Sequence, residues 1–326
     1  MSGEFDIIAR YFAPLAKDTP LAFGLKDDAA MIAPPKGHHL VVTADAIVEG
    51  VHFLHDDPPT RIAQKLLRVN LSDLAAKGAT PFGYLLTCAF PPDIDERWIA
   101  AFAKGLKADQ KHFGLGLLGG DTVSTPGPAT FGVTMFGTAK GRAMLRRSGA
   151  EPGDLLCVTG TIGDGGLGLS ELLKPHAGLT DTQRKFLIAR YRLPQPRTRI
   201  GPLLHGIASA ALDVSDGLVQ DVGHLAKQSG VRAVIDLASV PLSPAALVLE
   251  KADPDTRRAA IGAGDDYEIA FTITPKLLKS LQAAALKARI RVTVIGRVQK
   301  GAGVAIALPD GSEIVPERGG FDHFAR

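Results

Sequence analysis

Cysteine is nearly absent from this sequence: Cys88 and Cys157 are the only two in 326 residues, and they lie far apart. No paired-cysteine motif exists, which excludes a disulfide framework and a thiolate-held zinc site. Each thiol sits in an apolar stretch (84–90 and 155–158) and reads as buried, reduced and without a catalytic role. Apolar runs of membrane-spanning length are also missing. The first six residues are acidic where a secretory leader would be basic, so the expected location is the cytoplasm, with no membrane partner. Basic clusters are scarce: lysine and arginine total 37 against 34 acidic residues, and the densest group, 142–147, holds three arginines. That leaves nucleic acid without an electrostatic footprint. There is no low-complexity segment, no close internal repeat, no Walker A loop and no protein-kinase catalytic loop.

What remains is the composition of an ordinary globular enzyme, 45% apolar and 22% charged. The length exceeds what one core serves, so two domains are expected. A break of turn residues over 147–154 (Arg-Ser-Gly-Ala-Glu-Pro-Gly-Asp) sets them at 1–147 and 148–326.

Periodicity predicts, in the first half, a helix over 4–12, a strand over 39–45, a helix from 60 to Gly78, a strand over 82–90, a helix over 95–112, a short strand over 116–118 and an alternating strand over 130–137. The second half carries strands over 155–160, 210–214, 231–236, 268–274, 291–298 and 304–307. Its helices are expected over 167–173, 181–191, 217–228 and 275–288. Long strands of antiparallel character make the fold class α+β.

Acidic turns recur along this frame: Asp27-Asp28, Thr43-Ala44-Asp45, Ser72-Asp73, Gly119-Gly120-Asp121, Asp213-Val214-Ser215-Asp216-Gly217 and Asp265-Asp266. Most fall where an apolar element is expected to run out, so their side chains would gather at a rim of each domain. Thr43 with Asp45, and Asp213 with Ser215, share a strand face by the two-residue period. Two carboxylates about 5 Å apart at an effective dielectric of about 20 repel by roughly 3 kcal/mol, so a convergent set needs cations. Hard oxygen donors with no histidine or cysteine cluster select Mg²⁺, which usually meets nucleotide phosphates. Taken singly, each turn reads more readily as a turn or a cap, Asp216 with Ser215 as the cap of the following helix, whereas Gly119-Gly120-Asp121 is less easily dismissed because its two glycines permit close backbone approach to a ligand.

Two stretches, 114–119 and 163–168, satisfy G-x-G-x-x-G. The first does not open a helix. The second lies between a strand and a helix and keeps a nicotinamide-dependent oxidoreductase open as an alternative, although it lacks an acidic residue ending the next strand.

Together and in this order, the motifs Asp27-Asp28-Ala29-Ala30, Asp45 through Glu49-Gly50-Val51-His52-Phe53, Asn70-Leu71-Ser72-Asp73-Leu74-Ala75-Ala76, Gly119-Gly120-Asp121-Thr122, Arg147-Ser148-Gly149-Ala150, Asp213-Val214-Ser215-Asp216-Gly217-Leu218 and Asp265-Asp266-Tyr267-Glu268 resemble the thiamine-monophosphate kinase family. That family belongs to the superfamily of aminoimidazole ribonucleotide synthetase and selenophosphate synthetase. The resemblance covers nearly the whole chain. It implies a homodimer whose N-terminal strands form an intersubunit barrel, an N-terminal domain binding ATP and metal, and a C-terminal α/β domain completing the active-site cleft. It further implies that Asp28, Thr43, Ala44, Asp45, Asp73, Asp121, Asp213 and Asp216 hold several Mg²⁺ ions. Gly120, Asp121, Arg147 and Ser215 would contact ATP, and His52, Asp265 and Phe321 thiamine monophosphate. Ala44 departs from a usual hydroxyl residue, leaving only its carbonyl to coordinate; Lys26 and Ala263 replace common glycines.

The implied reaction gives thiamine diphosphate and ADP. Its acceptor is a phosphate already ionised at neutral pH, so no general base is assigned and the aspartates are metal ligands rather than nucleophiles. Another ATP-using member of the superfamily is the nearer alternative, but the reactive N-terminal cysteine of a selenophosphate synthetase has no counterpart before Cys88.

Overall fold

The computed structural model describes residues 3–141, 144–316 and 320. The chain divides into two compact units, Met1–Leu74 with Ala79–Ala143, and Ala75–Gly78 with Met144–Arg326.

In the first unit, α1 (Glu4–Ile7) passes into a wider turn (Ile8–Phe12) and two tight turns (Ala13–Ala16 and Pro20–Leu25). The single helix expected over 4–12 therefore changes pitch at Ile8, and Pro14 and Pro20 each open a new short turn. There follow β1 (His38–Val48), α2 (Pro59–Ala76), β2 (Thr80–Phe90), α3 (Glu96–Phe113), β3 (Gly116–Ser124) and β4 (Thr130–Lys140). The strand order is β1-β4-β2-β3, with β2 and β3 parallel and the other pairs antiparallel.

One face of this sheet carries Tyr84, Leu86, Phe131, Val133 and Met135, all buried. The Phe131 ring lies 4.6 Å from that of Phe102 on α3, and Trp98 stacks on Phe131 at 5.8 Å. Burying each such ring contributes about 2 kcal/mol or more. Helix α3 starts where Asp95 accepts from the Trp98 N–H at 2.8 Å and stops at Gly114, which takes the left-handed conformation. A cap of this kind contributes about 1 kcal/mol. Alternate residues point to the other face, where Leu40, Val42, Leu85 and Val123 remain 39%, 52%, 37% and 46% exposed.

Two strands run further than periodicity predicts. β1 continues three residues past Asp45, and β3 continues through Gly119-Gly120-Asp121 to Ser124. Those two motifs lie inside strands rather than in turns. Glycines usually interrupt a strand, but a Cβ at Gly120 would fall 1.8 Å from the Leu86 carbonyl oxygen, so glycine is what lets β3 stay on β2 there. Asp73 sits within α2, inside the helix expected from 60 to Gly78.

The second unit contains β5 (Leu155–Thr159), α4 (Asp164–Leu173), α5 (Asp181–Arg192), α6 (Gly201–Leu204), β6 (Ala208–Val214), α7 (Leu218–Ser229), β7 (Arg232–Asp236), α8 (Pro244–Ala252), α9 (Thr256–Gly262), β8 (Glu268–Ile273), α10 (Pro275–Lys287), β9 (Val292–Gln299), β10 (Gly303–Ala307) and β11 (Glu313–Ile314). They build a mixed sheet in the order β11-β10-β7-β9-β5-β8-β6. Val219, Val222 and Leu225 of α7 pack with Leu212, Ile235 and Ile295 in one core. Leu204 of α6 and Leu281 of α10 join Phe271 and Ile273 in the other. Helices α8 and α9 were not expected from the sequence, although Ser243 caps α8 and Pro244 occupies its first turn, a legible start signal. Among the described residues, no helix is long and apolar enough to cross a membrane.

Candidate active site

Three groups of the sequence-marked residues emerge, two in the first unit and one in the second. The first group lies between β1 and α2. Thr43 donates from Oγ1 to Asp73 Oδ2 at 2.5 Å, and the Asp45 N–H donates to Asn70 Oδ1 at 3.1 Å. Asn70 is fully buried and also donates to the Leu66 carbonyl at 3.0 Å, so its amide is fixed from both ends. The sequence signal for the supporting role of Asn70 is a polar residue on the apolar stripe of α2. Thr43 and Asp45 point to the helix side, opposite Met135 and Val133 of β4, while Ala44 points to the open face.

The second group lines a cavity of about 410 Å³ shared by Asp27, Asp28, Leu85, Thr87, Gly119, Gly120, Asp121 and Thr134. Asp121 pairs in register with Thr87, on the open face of the sheet. Its Oδ1 accepts from the Thr122 N–H at 2.8 Å, and the Asp28 N–H donates to Asp27 Oδ1 at 2.9 Å. The structure does not unite these two groups. Asp45, Val133, Leu86 and Gly120 form one row across the four strands, with Asp45 on one edge strand and Asp121 beside the far end of that row. At about 4.8 Å per strand, the two edges lie roughly 14 Å apart.

His52 belongs to neither group. It sits in a turn after β1, where Gly50 adopts φ +78 and its N–H donates to the Phe53 carbonyl at 2.8 Å. The His52 Nδ1 accepts from the Val48 N–H at 3.0 Å, which leaves Nε2 as the protonated nitrogen of the neutral ring. Lys65, itself buried, donates to the His52 carbonyl at 2.8 Å.

The third group lies where β6 and β8 meet their loops. Asp213, the last residue but one of β6, is buried; Val214 ends the strand, and Ser215, Asp216 and Gly217 follow. The cap expected from Asp216 and Ser215 is not formed: Gly217 is the N-cap of α7 and no side chain bonds there. Asp221 takes that part instead, accepting from the N–H groups of Ser215 at 3.0 Å and Asp216 at 3.1 Å. Burial, then repulsion from Asp216, pushes the Asp221 carboxyl up to about 7. Asp265 is tied to the same loop by its N–H, 2.8 Å from the Ser215 carbonyl, and the Tyr267 N–H is 2.8 Å from that of Val214. Asp265 and Tyr267 both adopt positive φ, +68 and +53. That conformation costs a non-glycine residue about 1 kcal/mol or more.

Arg147 is exposed, and its carbonyl accepts from Ser229 Oγ at 3.2 Å; the neighbouring Arg146 carbonyl accepts from the Ala211 N–H on β6 at 2.8 Å. Phe321 lies outside the described residues.

The second glycine-rich stretch is filled from within. Asp266, fully buried, accepts from the N–H groups of Gly163 at 2.7 Å and Gly165 at 3.2 Å. A phosphate seeking the start of α4 would meet this carboxylate, which removes the ground for the nicotinamide alternative. The first stretch supplies the end of α3 at Gly114 and the start of β3.

Comparison with known proteins agrees with this architecture. Residues 26–139 match the model of the AIR synthase related protein N-terminal domain, and residues 151–308 match that of the C-terminal domain. A thiamine-monophosphate kinase of Caulobacter vibrioides is 44% identical over 324 residues, spanning 98% of this chain and 90% of the relative. The crystal structure of thiamine-monophosphate kinase from Stenotrophomonas maltophilia superposes with a TM-score of 0.84 at 37% identity, covering 95% of this chain and 97% of that one. AaThiL complexed with AMPPCP and TMP superposes at 0.79 with 31% identity, over 91% of each chain. The chain therefore belongs to the thiamine-monophosphate kinase family of AIR synthase related proteins and is, with that family, an enzyme that phosphorylates thiamine phosphate.

Proposed function

We propose that this kinase passes the γ-phosphoryl group of ATP directly and in line to a phosphate oxygen of thiamine monophosphate, on aspartates that hold several Mg²⁺ ions. The observation that carries this is the donor set: Asp28, Asp121 and Thr87 around one cavity, and Thr43, Asp45 and Asp73 between β1 and α2, where Thr43 bonds Asp73 and the Asp45 N–H bonds Asn70, are oxygen donors throughout. Such donors fit a hard divalent ion. Among the described residues, no three histidine, cysteine, aspartate or glutamate side chains stand close enough to hold an ion alone. Phosphate oxygens would complete each coordination shell, as is usual for Mg²⁺ at nucleotides. When bound, Mg²⁺ neutralises phosphate charge and fixes the reacting oxygens.

In this mechanism Asp28, Thr43, the Ala44 carbonyl, Asp45, Asp73, Asp121 and Asp213 would hold the ions, and Asp216 would hold a further one. Gly120 lets backbone come close to the nucleotide, and Arg147 and Ser215 contact its phosphates. His52, through Nε2–H, together with Asp265 and Phe321, binds thiamine monophosphate. As the γ-phosphorus bonds to the acceptor oxygen, its bond to the β-phosphate oxygen breaks and ADP departs. The acceptor is already ionised, so no side chain has to remove a proton.

We assign the protein to a homodimer in the cytoplasm, the dimer closing its sheets into a barrel. Leu40, Val42, Leu85 and Val123 form an exposed apolar face on the sheet, a surface of the kind partners cover. Asp45 and Asp121 of one chain lie on opposite edge strands and opposite faces of the sheet, so a site that used both would take one carboxylate from each copy.

A stereochemical experiment tests the direct route. With ATP carrying a chiral γ-phosphoryl group, one in-line transfer inverts the configuration at phosphorus. Retention would reveal a covalent aspartyl-phosphate and contradict the mechanism.

A further inference from the structure

The loop 262–267 and the start of α4 are fitted to each other at backbone distance. A Cβ at Gly165 would fall 2.2 Å from the Asp265 carbonyl oxygen, at Gly166 2.4 Å from the Ala263 Cβ, and at Gly163 2.3 Å from the Ala260 Cβ. The glycines of 163–168 thus do not open the helix to a ligand; they let another part of the same unit lie on it. Into that contact Asp266 inserts its carboxylate, bonded to the Gly163 and Gly165 N–H groups at the positive end of α4. The Asp266 backbone carbonyl accepts from Arg190 Nη2 at 3.4 Å, so the residue is held by main chain and side chain alike.

On either side of this anchor the chain is strained, with Asp265 at φ +68 and Tyr267 at φ +53. Neither is glycine, and such a conformation persists only where the surroundings dictate it. Its effect is to turn successive side chains apart. Asp266 is buried toward α4, whereas Asp265 stays part-exposed beside Ser215, with the Tyr267 hydroxyl donating to its Oδ1 at 3.1 Å.

We infer that the glycine-rich start of α4 is a socket for Asp266, and that Asp266 and Tyr267 are positioning residues which aim the Asp265 carboxylate at the acceptor substrate. Asp266 sets the backbone and Tyr267 sets the carboxylate rotamer. This rests on the proposed assignment of Asp265 to thiamine monophosphate.

The test is steady-state kinetics on the full-length enzyme, with KM for thiamine monophosphate and for ATP measured separately and Tm followed alongside. Tyr267→Phe keeps the buried ring and removes only the hydroxyl. Loss of one charge-assisted hydrogen bond predicts a rise of about tenfold in KM for thiamine monophosphate, with KM for ATP unchanged. Gly165→Ala, which drives a methyl group into the Asp265 carbonyl, shifts the same constant in the same direction. In an Asp265→Ala background, Tyr267→Phe has no further effect, because its action passes through the missing carboxylate. Equal effects of Tyr267→Phe with and without Asp265, or equal rises in both KM values, overturn the inference. Asp265→Ala with an unaltered KM for thiamine monophosphate overturns the assignment of Asp265 itself. Asp266→Asn, if it folds, behaves as Tyr267→Phe does; if it does not, Tyr267→Phe and Gly165→Ala decide.

Discussion

Asp45 and Asp121 stand on opposite edge strands and opposite faces of one four-stranded sheet, joined by the row Asp45, Val133, Leu86 and Gly120. If both serve one phosphoryl-transfer site, that site takes Asp45 from one copy and Asp121 from another. Inactive Asp45→Asn and Asp121→Asn proteins, dissociated and reassociated together, then recover activity. Random pairing makes half the dimers mixed, and each mixed dimer has one intact site, so recovery approaches about a quarter of the wild-type rate. No recovery from a verified mixed dimer contradicts the shared site.

Each of those substitutions alone is expected to lower kcat about a hundredfold or more while leaving Tm within a few degrees. In the proposed mechanism the carboxylates act on charge in the transition state, and they bury no apolar surface. Stopped-time assays with thermal melts separate this from simple unfolding. Near-normal turnover in both variants removes them from the ion ligands.

Gly120 is a structural condition for the cavity beside Asp121. Gly120→Ala forces a methyl group onto the Leu86 carbonyl, at a distance of 1.8 Å before relaxation. The expected cost is about 1–3 kcal/mol, read as a lower urea midpoint, and β3 must part from β2 at the point where Asp121 projects. Unchanged stability means that the two strands are not held this close.

The turn carrying His52 predicts a pH signature through its neighbours. Glu49 Oε1 lies 2.5 Å from His55 Nδ1. Hydrogen bonding to Glu49 raises the His55 pKa above 6.5, and the same bond lowers that of Glu49 below 4.5. The His55 contribution to stability is therefore complete below 6.5 and is lost as pH rises through the folded value. The Glu49 contribution is complete above 4.5 and is lost as pH falls through its folded value. The pair is strongest between those limits. NMR titration should place His55 above 6.5, and Glu49→Gln should bring it back down toward 6.5; identical titrations mean the contact does not form in solution.

Much of the frame was legible in the sequence because apolar periodicity survives burial on one face, as in α2, α3, β2 and β4. Less legible were strands whose continuation depends on what they touch. Gly119-Gly120 signals a turn to any local reading, and only the close approach of Leu86 keeps β3 straight. The rim argument holds for Asp213 to Gly217 and for Asp265, which do lie at element ends, but not for Asp45, Asp73 or Asp121, which lie within elements. The roles proposed for these three rest on motif resemblance rather than on position. The glycine-rich start of α4 looked like a ligand cradle because its occupant, Asp266, is about a hundred residues away in sequence.

The measurement that bears most directly on the central claim is a product assay of the purified protein with ATP, comparing thiamine monophosphate with thiamine as acceptor, in Mg²⁺ and after chelation. Thiamine diphosphate should form from thiamine monophosphate and not from thiamine, cease on chelation, and resume when Mg²⁺ is restored. Equal turnover without any divalent ion, or no thiamine diphosphate at all, contradicts the account.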